Sequence, residues 1–536
     1  MKRFGVMLDM SRNAVMKPEE IKNFARIIKS FGYNMIQLYT EDTYEIEGEA
    51  YFGYLRGRYS KEELSDLVAY CDSIGVEVIP CIQTLAHLNQ MLKWDNVYYR
   101  VKDTGDILLC DEPATYELIE KMFISLRESF KSEYVHIGMD EAHMLGLGKY
   151  LDKHGYTNRF EILSRHLEKV IDIAKKYGFK PIMWSDMFFR LGNGGKYALM
   201  NPVIPESVVD ITPSEVGLVF WDYYHTDKAL YDSMFAAHKK FKNEIWFAGG
   251  AWTWAGLSSG NKKTMDTMIP AMLSAKEHNI ENIFLTMWGD NGKECSFYSV
   301  LPSLFAIRKF YDGESDMAKI KSEFEKITGE SFDAMFDLDL VNFVGENTDG
   351  QKCIAKSMLY NDAFLGFLDS GVKPGVAAEY AEHAKKLWKH ADASKNYGYI
   401  FEMSAALCDV LAIKYDLGAR TRESYRKGSR EELAVIAEEY LTAQDKLKLF
   451  HEKLSLLWHK ENKPHGFEVQ DQRIGGLIMR LKSCRKRIIA YLSGELNSIP
   501  ELEEEILDWF GNGKEYKENA YPARNNWTYI VSPNVV

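Results

Sequence analysis

The first part of the chain alternates between two hydrophobic patterns at a regular spacing. Short apolar runs of strand length are separated by segments in which apolar residues recur every three or four positions, as in an amphipathic helix. The runs cover residues 3–9, 33–39, 76–82, 134–138, 180–184, 216–221, 244–249 and 282–288. The helix-period segments cover 18–31, 61–74, 114–130, 159–177, 227–240, 264–279 and 299–311. Eight strand-like runs, all but one followed by a helix-period segment, predict an α/β fold, a (β/α)8 TIM barrel spanning residues 1–312.

A doubly wound open sheet is the competing interpretation of the same alternation. Such a sheet normally has fewer strands and often carries a glycine-rich phosphate loop after the first strand. Here the first apolar run leads into Asp9-Met10-Ser11-Arg12, which contains no glycine. We therefore favour the barrel.

The strand pattern almost disappears beyond the barrel. Long amphipathic segments follow at 354–370, 376–392, 396–417, 429–459 and 469–494. They predict an all-α C-terminal domain over residues 313–536. We expect this domain to cover barrel helices, and it is also a candidate homodimer interface. The polar and aromatic stretch 463–471 is a candidate for reaching a barrel mouth, its own or a partner's.

Composition narrows the class of protein. Hydrophobic residues make up 46% and charged residues 27% of the chain, which is typical of a soluble protein. The net charge of −12 argues against a nucleic acid as partner. There is no signal-peptide pattern and no apolar run long enough for a membrane span. The 7 cysteines form no CxxC pair, which predicts reduced, mostly buried thiols and a cytoplasmic protein.

The segment from His136 to His143, His-Ile-Gly-Met-Asp-Glu-Ala-His, carries the strongest chemical signal. It places the adjacent carboxylates of Asp140 and Glu141 at the predicted end of the fourth strand. Two neighbouring carboxyl groups cannot both ionise cheaply, so their pKa values are pushed apart. One can then act as an acid near neutral pH while the other stays charged, as cleavage of an acetal requires.

Most of the other predicted strands also end in residues that can do chemistry, and in a TIM barrel the active site lies at these ends. They are Asp9 and Arg12 after the first strand, Gln83 and His87 after the third, Trp184, Ser185 and Asp186 after the fifth, Trp221, Asp222, Tyr223, Tyr224 and His225 after the sixth, Trp252, Thr253 and Trp254 after the seventh, and Trp288, Asp290 and Asn291 after the eighth. One tryptophan at a strand end is more often a core anchor. Four strand ends with tryptophan, mixed with carboxylates and an arginine, indicate a walled pocket for one terminal sugar.

On these residues the chain resembles glycoside hydrolase family 20, the β-N-acetylhexosaminidases. The motif that carries the resemblance is His136-x-Gly138-x-Asp140-Glu141, supported by Arg12, His87, Trp184 and Trp288-x-Asp290. The resemblance covers about residues 1–312. The helical C-terminal part is similar to the subgroup that lacks the usual N-terminal α/β domain. Two departures stand out: Gln83-Thr84-Leu85-Ala86 precedes His87 where many members carry a carboxylate and Pro-Gly, and Asp290 stands where glutamate is frequent.

The resemblance implies an exo-acting, retaining enzyme whose substrate supplies its own nucleophile, the 2-acetamido oxygen. Glu141 would be the general acid and then the base, and Asp140 would orient the acetamido N–H. A tyrosine should bind the acetamido oxygen. We expect Tyr224 rather than Tyr223, because on a regular strand Tyr224 shares a face with Asp222.

The expected partner is a glycan with a terminal N-acetylhexosamine, and neither a cofactor nor a metal is expected. The remaining substrate-binding candidates are Arg12 and Asp290 for the distal hydroxyls, Trp184, Trp221, Trp254 and Trp288 for the walls, and His87, His136, Asp222 and Tyr223 around them.

The same residues allow four other hypotheses. Asp140–His143 spells the DEAH box of helicases, but no phosphate loop accompanies it. His136, Asp140 and His143 could bind a metal, although a hydrogen-bonded histidine beneath the site is the commoner arrangement. A barrel that binds amino sugars without cleaving them has no need for the acid. A two-carboxylate retaining glycosidase would pair Glu141 with Asp222 or Asp290.

Overall fold

Eight parallel strands close into a barrel in the order in which they occur along the chain. They are β1 (Arg3–Asp9), β2 (Met35–Tyr39), β3 (Glu77–Cys81), β4 (Tyr134–His136), β5 (Lys180–Trp184), β6 (Gly217–Trp221), β7 (Ile245–Gly250) and β8 (Asn282–Met287). The sheet closes where Arg3 of β1 pairs with Asn282 of β8. This computed structural model describes residues 2–254, 256–345, 347, 353–366, 368–507, 509, 511 and 526–535. The closed barrel confirms the predicted fold class.

Every predicted helix-period segment of the barrel contains a helix. In chain order the helices are α1 (Pro18–Ser30), α2 (Lys61–Ser73), α3 (Asn89–Leu92), α4 (Asp95–Tyr98), α5 (Pro113–Ser129), α6 (Lys149–His154), α7 (Arg159–Lys176), α8 (Asp186–Gly192), α9 (Glu206–Ile211), α10 (Lys228–His238), α11 (Asn261–Glu277) and α12 (Leu301–Asp312). The short helices α3, α4, α6, α8 and α9 lie in the connections after β3, β4 and β5, so these three connections are the elaborated ones.

Local signals account for where the barrel helices begin. The first helix, α1, begins at Pro18, whose ring presets the backbone for a first helical turn, and acidic residues follow where the helix dipole favours them. In α2 the Ser60 hydroxyl accepts from the Glu63 backbone N–H while the Glu63 side chain accepts from the Ser60 backbone N–H. A reciprocal cap of this kind stabilises a helix by about 1 kcal/mol.

Large side chains fill the barrel interior. Along each strand alternate residues point inward, and the inward set forms one buried cluster. Its members are Met7, Met35, Tyr39, Ile79, Cys81, Ile182, Trp184, Val219, Trp246, Ala248 and Phe284. Trp221 and Trp288 are only partly buried and pack against this cluster. The interior is therefore a packed core with an aromatic layer towards the carboxyl ends of the strands.

Helices dominate the rest of the chain. They are α13 (Met317–Thr328), α14 (Phe332–Phe336), α15 (Ile354–Tyr360), α16 (Val376–Ala393), α17 (Gly398–Lys414), α18 (Leu417–Lys427), α19 (Arg430–Glu461), α20 (Phe467–Ser493), α21 (Pro500–Glu503) and α22 (Trp527–Ile530). Short 3-10 turns occur at Phe297–Val300, Asp337–Val341 and Asp369–Gly371. The core of this region runs through α17, which packs on both α16 and α19, while α20 packs on α19.

Two expectations about these helices were wrong. The segment predicted as one helix over 354–370 ends at Tyr360. Asn361 ends it, because its side chain donates to Asp369 at 2.7 Å and accepts from the Leu368 backbone N–H at 3.2 Å. Side-chain bonds of this kind compete with the helical ladder. The helix α18 was not foreseen as a separate element.

The chain divides into two compact units. The first comprises Met1–Ala251, Thr264–Trp288 and Ser303–Ile320, and the second comprises Trp252–Lys263, Gly289–Pro302 and Lys321–Val536. The second unit therefore includes the segments that follow β7 and β8, so the chain is not divided at the single position 312. Within the described ranges, no helix is both long and apolar enough to cross a membrane. All seven cysteines are buried and free of disulfide bonds.

Candidate active site

The carboxylate pair lies on an irregular segment that follows β4. The strand ends at His136, and three of the next residues have a left-handed backbone: Gly138 with φ 72°, Met139 with φ 70° and Glu141 with φ 50°. A Cβ atom on Gly138 would stand 2.1 Å from Oε1 of Gln83. The glycine of the motif is thus required by the close approach of Gln83. Left-handed backbone in non-glycine residues is strained and tends to occur at functional sites.

Asp140 is held by two side chains from the segment after β3. Gln83 Nε2 donates to Asp140 Oδ1 at 2.8 Å, and His87 Nε2 lies 3.2 Å from Asp140 Oδ2. The His87 nitrogen has no well-aligned hydrogen-bond partner, so we treat this contact as an ion pair. Burial opposes ionisation of Asp140, but the charge of His87 and the bond from Gln83 outweigh it and lower the pKa of Asp140 to about 2.

The same contact controls His87. Burial lowers the pKa of this imidazole, but the neighbouring Asp140 carboxylate more than compensates and raises it to about 9. At neutral pH both partners are therefore charged. His87 also has φ 57°, which is unusual for a residue with a side chain.

Glu141 differs from its neighbour because it is open to solvent. Its side chain is 43% exposed, whereas that of Asp140 is 13% exposed. Glu141 Oε2 lies 3.8 Å from His87 Nε2, and Oε1 lies 4.0 Å from Arg190 Nη2. Both separations exceed hydrogen-bond length, so these two cations flank the carboxyl without immobilising it. A carboxyl in this position can exchange a proton with a bound molecule.

Asp186 is a buried carboxyl that also belongs to this group. It follows β5, and Arg190 Nε donates to its Oδ2 at 3.1 Å while Oδ1 has no partner. Burial, followed by the charge of Asp140, raises the pKa of Asp186 to about 7, although Arg190 works in the opposite direction. Asp186 thus titrates near neutral pH within the reach of Arg190, which in turn faces Glu141.

Arg12 is connected to Asp140 through a chain of polar contacts. Its Nη1 pairs with Glu41 and donates to the Ser11 hydroxyl at 2.6 Å. Tyr39 OH donates to Glu41 Oε1 at 3.0 Å, and Gln83 Nε2 donates to Tyr39 OH at 3.0 Å. Burial raises the pKa of Glu41 above its ordinary value, although the charge of Arg12 works in the opposite direction. The side chain of Arg12, 25% exposed, is the part of these linked contacts that reaches solvent.

An aromatic group surrounds the pair. The Trp184 ring lies 4.3 Å from the His136 ring and 6.1 Å from Trp288, which makes an edge contact with Tyr39 at 4.8 Å. Trp184 is 1% exposed, whereas Trp221 and Trp288 are partly exposed. Trp221 and Trp288 are thus positioned to form pocket walls, and Trp184 lies beneath the surface.

Three of the expected substrate contacts, His136, Trp184 and Asp222, lie below the surface of the protein. His136 Nδ1 accepts from the Gly138 backbone N–H at 3.1 Å, and burial lowers the pKa of this imidazole to about 3. It is a neutral support beneath the motif. Among the described residues, no group of three or more His, Cys, Asp or Glu side chains is placed to hold a metal ion.

The two candidate tyrosines are arranged differently from the expectation. The strand β6 ends at Trp221, so the alternation that favoured Tyr224 does not continue to it. Instead, Asp222 Oδ1 accepts from the backbone N–H groups of Tyr224 and His225, at 2.9 and 3.2 Å, and makes a turn. The Tyr223 ring stacks on Trp221 at 5.4 Å, while Tyr224 is 40% exposed. The alternation along β6 therefore gives no reason to prefer Tyr224, and the choice between the two tyrosines stays a prediction.

Trp254 and Asp290 belong to the second compact unit. Trp254 is buried and stacks on Trp252 at 4.5 Å. Asp290 has φ 24°, and the backbone carbonyl of the adjacent Asn291 accepts from Lys356 at 2.7 Å and from Arg473 at 3.1 Å. The helical part of the unit thus fixes the turn that carries Asp290.

Several residues of the site were not foreseen. Glu41 and Tyr39 come from the end of β2, where Thr40-Glu41-Asp42 carries the same kind of polar signal as the other strand ends. The position of Asp186 at a strand end follows from the sequence, but its contact with Arg190 does not. Arg190 lies four residues further along α8 and carries no signal in the sequence, because its partner Glu141 is distant in the chain.

Two family models match this chain. The model described as "Glycosyl hydrolase family 20, catalytic domain" matches residues 4–229, and the model described as "Glycoside Hydrolase 20C C-terminal domain" matches residues 330–521. The chain belongs to glycoside hydrolase family 20. The match to the 20C C-terminal domain also confirms the expected subgroup with a helical C-terminal part.

Individual members of family 20 are similar to this chain at low identity. Hexosaminidase D of Bos taurus is 24% identical over 267 residues, which cover 48% of this chain and 70% of that protein. Beta-hexosaminidase 3 of Arabidopsis thaliana is 24% identical over 269 residues, covering 45% of this chain, and the chain spans only about half, 48%, of that protein's length. A chitobiase structure from Flavobacterium johnsoniae is 16% identical and covers 94% of this chain and 74% of that one, with a TM-score of 0.47.

Proposed function

We propose that the protein is an exo-acting, retaining β-N-acetylhexosaminidase that removes terminal β-linked GlcNAc or GalNAc from glycans. The observation that carries the proposal is the unequal carboxylate pair. Asp140 is shielded and held as an anion by Gln83 and His87, with a pKa of about 2, while the adjacent Glu141 is open to solvent. The Asp140 carboxylate is thus suited to stabilise a positive charge on the substrate, and the Glu141 carboxyl is suited to transfer protons.

In the first step, Glu141 donates its proton to the oxygen of the leaving sugar as the bond from C1 to that oxygen breaks. The acetamido oxygen of the substrate forms a bond to C1 at the same time and gives a cyclic oxazolinium ion. Asp140 accepts a hydrogen bond from the acetamido N–H and stabilises the positive charge that develops on the ring. No nucleophile from the protein is needed, which departs from the usual two-carboxylate scheme.

In the second step, the Glu141 carboxylate takes a proton from water as the water oxygen attacks C1. The bond from C1 to the acetamido oxygen breaks, the acetamide is restored and Glu141 is again protonated. Two inversions at C1 retain the β configuration. Both steps need only one mobile carboxyl, and the exposure of Glu141 is compatible with that.

The contacts of Asp222 argue against a two-carboxylate mechanism that uses this residue. Its Oδ2 lies 2.6 Å from His225 Nδ1, and its Oδ1 accepts the two backbone N–H groups of the turn. A buried carboxylate engaged in this way is poorly suited to attack a sugar carbon. For a pairing of Glu141 with Asp290, substrate selectivity is the discriminating test.

The remaining contacts belong to the same proposal. Arg12 and Asp290 would bind the distal hydroxyls, and Trp221, Trp288 and Trp254 would form walls. Tyr223, or Tyr224 if the turn rearranges, would bind the acetamido oxygen. The proposal also includes a homodimer formed through the helical part. It further includes a cytoplasmic location, with which the buried free cysteines are compatible.

The test compares two aryl substrates that differ only at the 2-position. An aryl β-N-acetylglucosaminide should be cleaved with retention, and the matching aryl β-glucoside should react at least about 100-fold more slowly, because it lacks the internal nucleophile. Equal rates would refute substrate assistance. Binding of N-acetylglucosamine without any turnover would instead favour a non-catalytic barrel.

A further inference from the structure

Arg190 on α8 is held by contacts that direct one of its nitrogens at the carboxylate pair. Its Nε donates to Asp186 Oδ2 at 3.1 Å, and its Nη1 donates to the Gly195 carbonyl at 3.2 Å. A guanidinium is planar, so these two bonds fix the direction of Nη2, which lies 4.0 Å from Glu141 Oε1. The cation is thus aimed at Glu141 by contacts that do not involve Glu141 itself.

The loop around Arg190 is fixed to the ends of two strands. The centre of the guanidinium lies 5.8 Å from the Tyr197 ring, a cation–π contact. The Tyr197 hydroxyl accepts from the Trp221 backbone N–H at 3.1 Å and lies 3.4 Å from the Ser185 hydroxyl. Trp221 ends β6 and Ser185 follows β5. Arg190 therefore faces Glu141 as a rigid part of the barrel rather than as a loose surface side chain.

Asp186 is a buried acid that the proposed mechanism does not use. Its Oδ1 has no hydrogen-bond partner among the described residues. The charged and titratable groups that face it are Asp140, Glu141, Arg190 and Tyr197. Burial and then the charge of Asp140 raise the pKa of Asp186 to about 7, against the effect of Arg190. The pair of Asp186 and Arg190 is therefore neutral above this pH and carries a net positive charge below it.

We infer, on the basis of the proposed function, that Arg190 is a positioning residue for the acid/base Glu141, and that Asp186 sets how much positive charge Arg190 presents to it. Between the two steps Glu141 is an anion, because it has given its proton to the leaving oxygen and has not yet taken one from water. A fixed cation beside it stabilises that anion. Ionised Asp186 offsets the cation and so favours the protonated Glu141 that the first step needs.

A purely structural role is the alternative for this pair. Asp186 and Arg190 are four residues apart, and oppositely charged side chains at that spacing stabilise a helix. Such pairs are usually exposed, whereas Asp186 is completely buried and Arg190 also faces a carboxyl outside its own helix. The two roles differ in what they predict for the pH profile.

The test removes each charge separately with little change in side-chain size. Asp186→Asn, Arg190→Gln and the double variant are compared with wild type in the pH profile of kcat/KM on phenyl β-N-acetylglucosaminide, whose leaving group needs the acid. Asp186→Asn leaves the cation unopposed, so we expect the basic limb to move down by about 0.5 pH unit or more. Arg190→Gln removes the cation, so the limb should move up by about the same amount. The double variant should lie between the two.

Asp312→Asn is the matched control. Arg308 Nε donates to Asp312 Oδ2 at 2.8 Å, and the two residues have the same four-residue spacing on α12. Arg308 also donates to the carbonyl of Gly32, which precedes β2, so this pair lies at the opposite end of the barrel. We expect Asp312→Asn to leave the basic limb unchanged.

Opposite shifts in the two single variants support the inference. Shifts in the same direction would overturn it. An unmoved limb, with a lower rate or a lower unfolding midpoint in urea, would also overturn it and would assign the pair to the stability of α8. If Asp186→Asn does not fold, the upward shift required of Arg190→Gln still decides the matter.

A failure of the hydrolase proposal is distinguishable from a failure of this inference. If wild type cleaves no aryl N-acetylhexosaminide, the hydrolase proposal fails, and the charge relation is measured without turnover. Protein with isotope-labelled glutamate carboxyls is titrated by NMR, and the Glu141 signal is assigned by its absence from Glu141→Gln. Its titration midpoint should rise in Arg190→Gln and fall in Asp186→Asn. Equal midpoints in wild type and both variants would overturn the inference.

Discussion

The pairing of His87 with Asp140 makes a quantitative prediction for His87→Gln, which keeps a side-chain donor but removes the charge. In this pair the pKa of His87 is raised from 6.5 to about 9, and the pKa of Asp140 is lowered from 3.8 to about 2. At about 1.4 kcal/mol for each pH unit, these shifts correspond to about 2.5 to 3.5 kcal/mol of favourable interaction. The loss of this energy should appear both in stability and in the pH dependence of catalysis.

The stability effect has a defined pH window. Because the pKa of His87 is raised, its contribution is complete below pH 6.5 and is lost as the pH rises through about 9. Because the pKa of Asp140 is lowered, its contribution is complete above pH 3.8 and is lost as the pH falls through about 2. We therefore expect the free energy of unfolding of His87→Gln to be about 2 kcal/mol lower than that of wild type near pH 5.5, with the gap closing above pH 9.

The catalytic effect concerns the acid limb of the pH profile. Without the charge of His87, burial becomes the dominant influence on Asp140, and its pKa should rise above 3.8. The acid limb of kcat/KM on an aryl β-N-acetylglucosaminide should then move up by roughly one pH unit or more. Exposed His154 on α6 provides the control variant His154→Gln, which should change neither profile. An unmoved acid limb, together with a stability loss that is independent of pH, would refute the reasoning.

Three further predictions concern the motif and the tyrosines. Glu141→Gln should lower kcat by about 100-fold or more on substrates with poor leaving groups and much less on activated aryl glycosides. Asp140→Asn should lower the rate on both kinds of substrate, because Asp140 acts on ring closure. A fully active Asp140→Asn variant would contradict that role. Tyr223→Phe should lower kcat/KM about ten-fold or more and Tyr224→Phe should change it little, and the opposite order would restore the original assignment. Gly138→Ala places a methyl group 2.1 Å from the side-chain oxygen of Gln83. We therefore expect the free energy of unfolding in urea to fall by at least about 1 kcal/mol. A wild-type unfolding midpoint would show that the loop moves to accommodate the methyl group.

The strand ends show how far sequence patterns reach in this protein. Apolar periodicity located all eight strands within two residues at every boundary, because the period depends only on which residues face the core. The polar residues after each strand predicted that Asp140, Glu141, His87 and Arg12 belong to one face, since parallel strands of a barrel end on the same side. Neither inference needs a contact between distant residues.

Long-range contacts decided the rest. Glu41 pairs with Arg12, and Arg190 lies near Glu141, because separate loops converge in the folded chain. The hydrophobic periodicity of one segment carries no information about that convergence. His136 and Trp184 have the same strand-end position as true surface residues, but their neighbours bury them. The turn made by the Asp222 carboxylate follows the end of β6 at Trp221, so the strand alternation used to prefer Tyr224 over Tyr223 does not extend to these residues.

The sequence by itself therefore determined the barrel, the helical C-terminal part and the carboxylate pair, since each depends on local period or on adjacency in the chain. Only the tertiary structure decided which carboxyl is held as an anion. Asp140 and Glu141 are neighbours of similar chemistry, and what separates them is that Gln83 and His87 reach one of them while the other faces solvent. Burial and a specific cation set a pKa, and both come from residues far away in the chain.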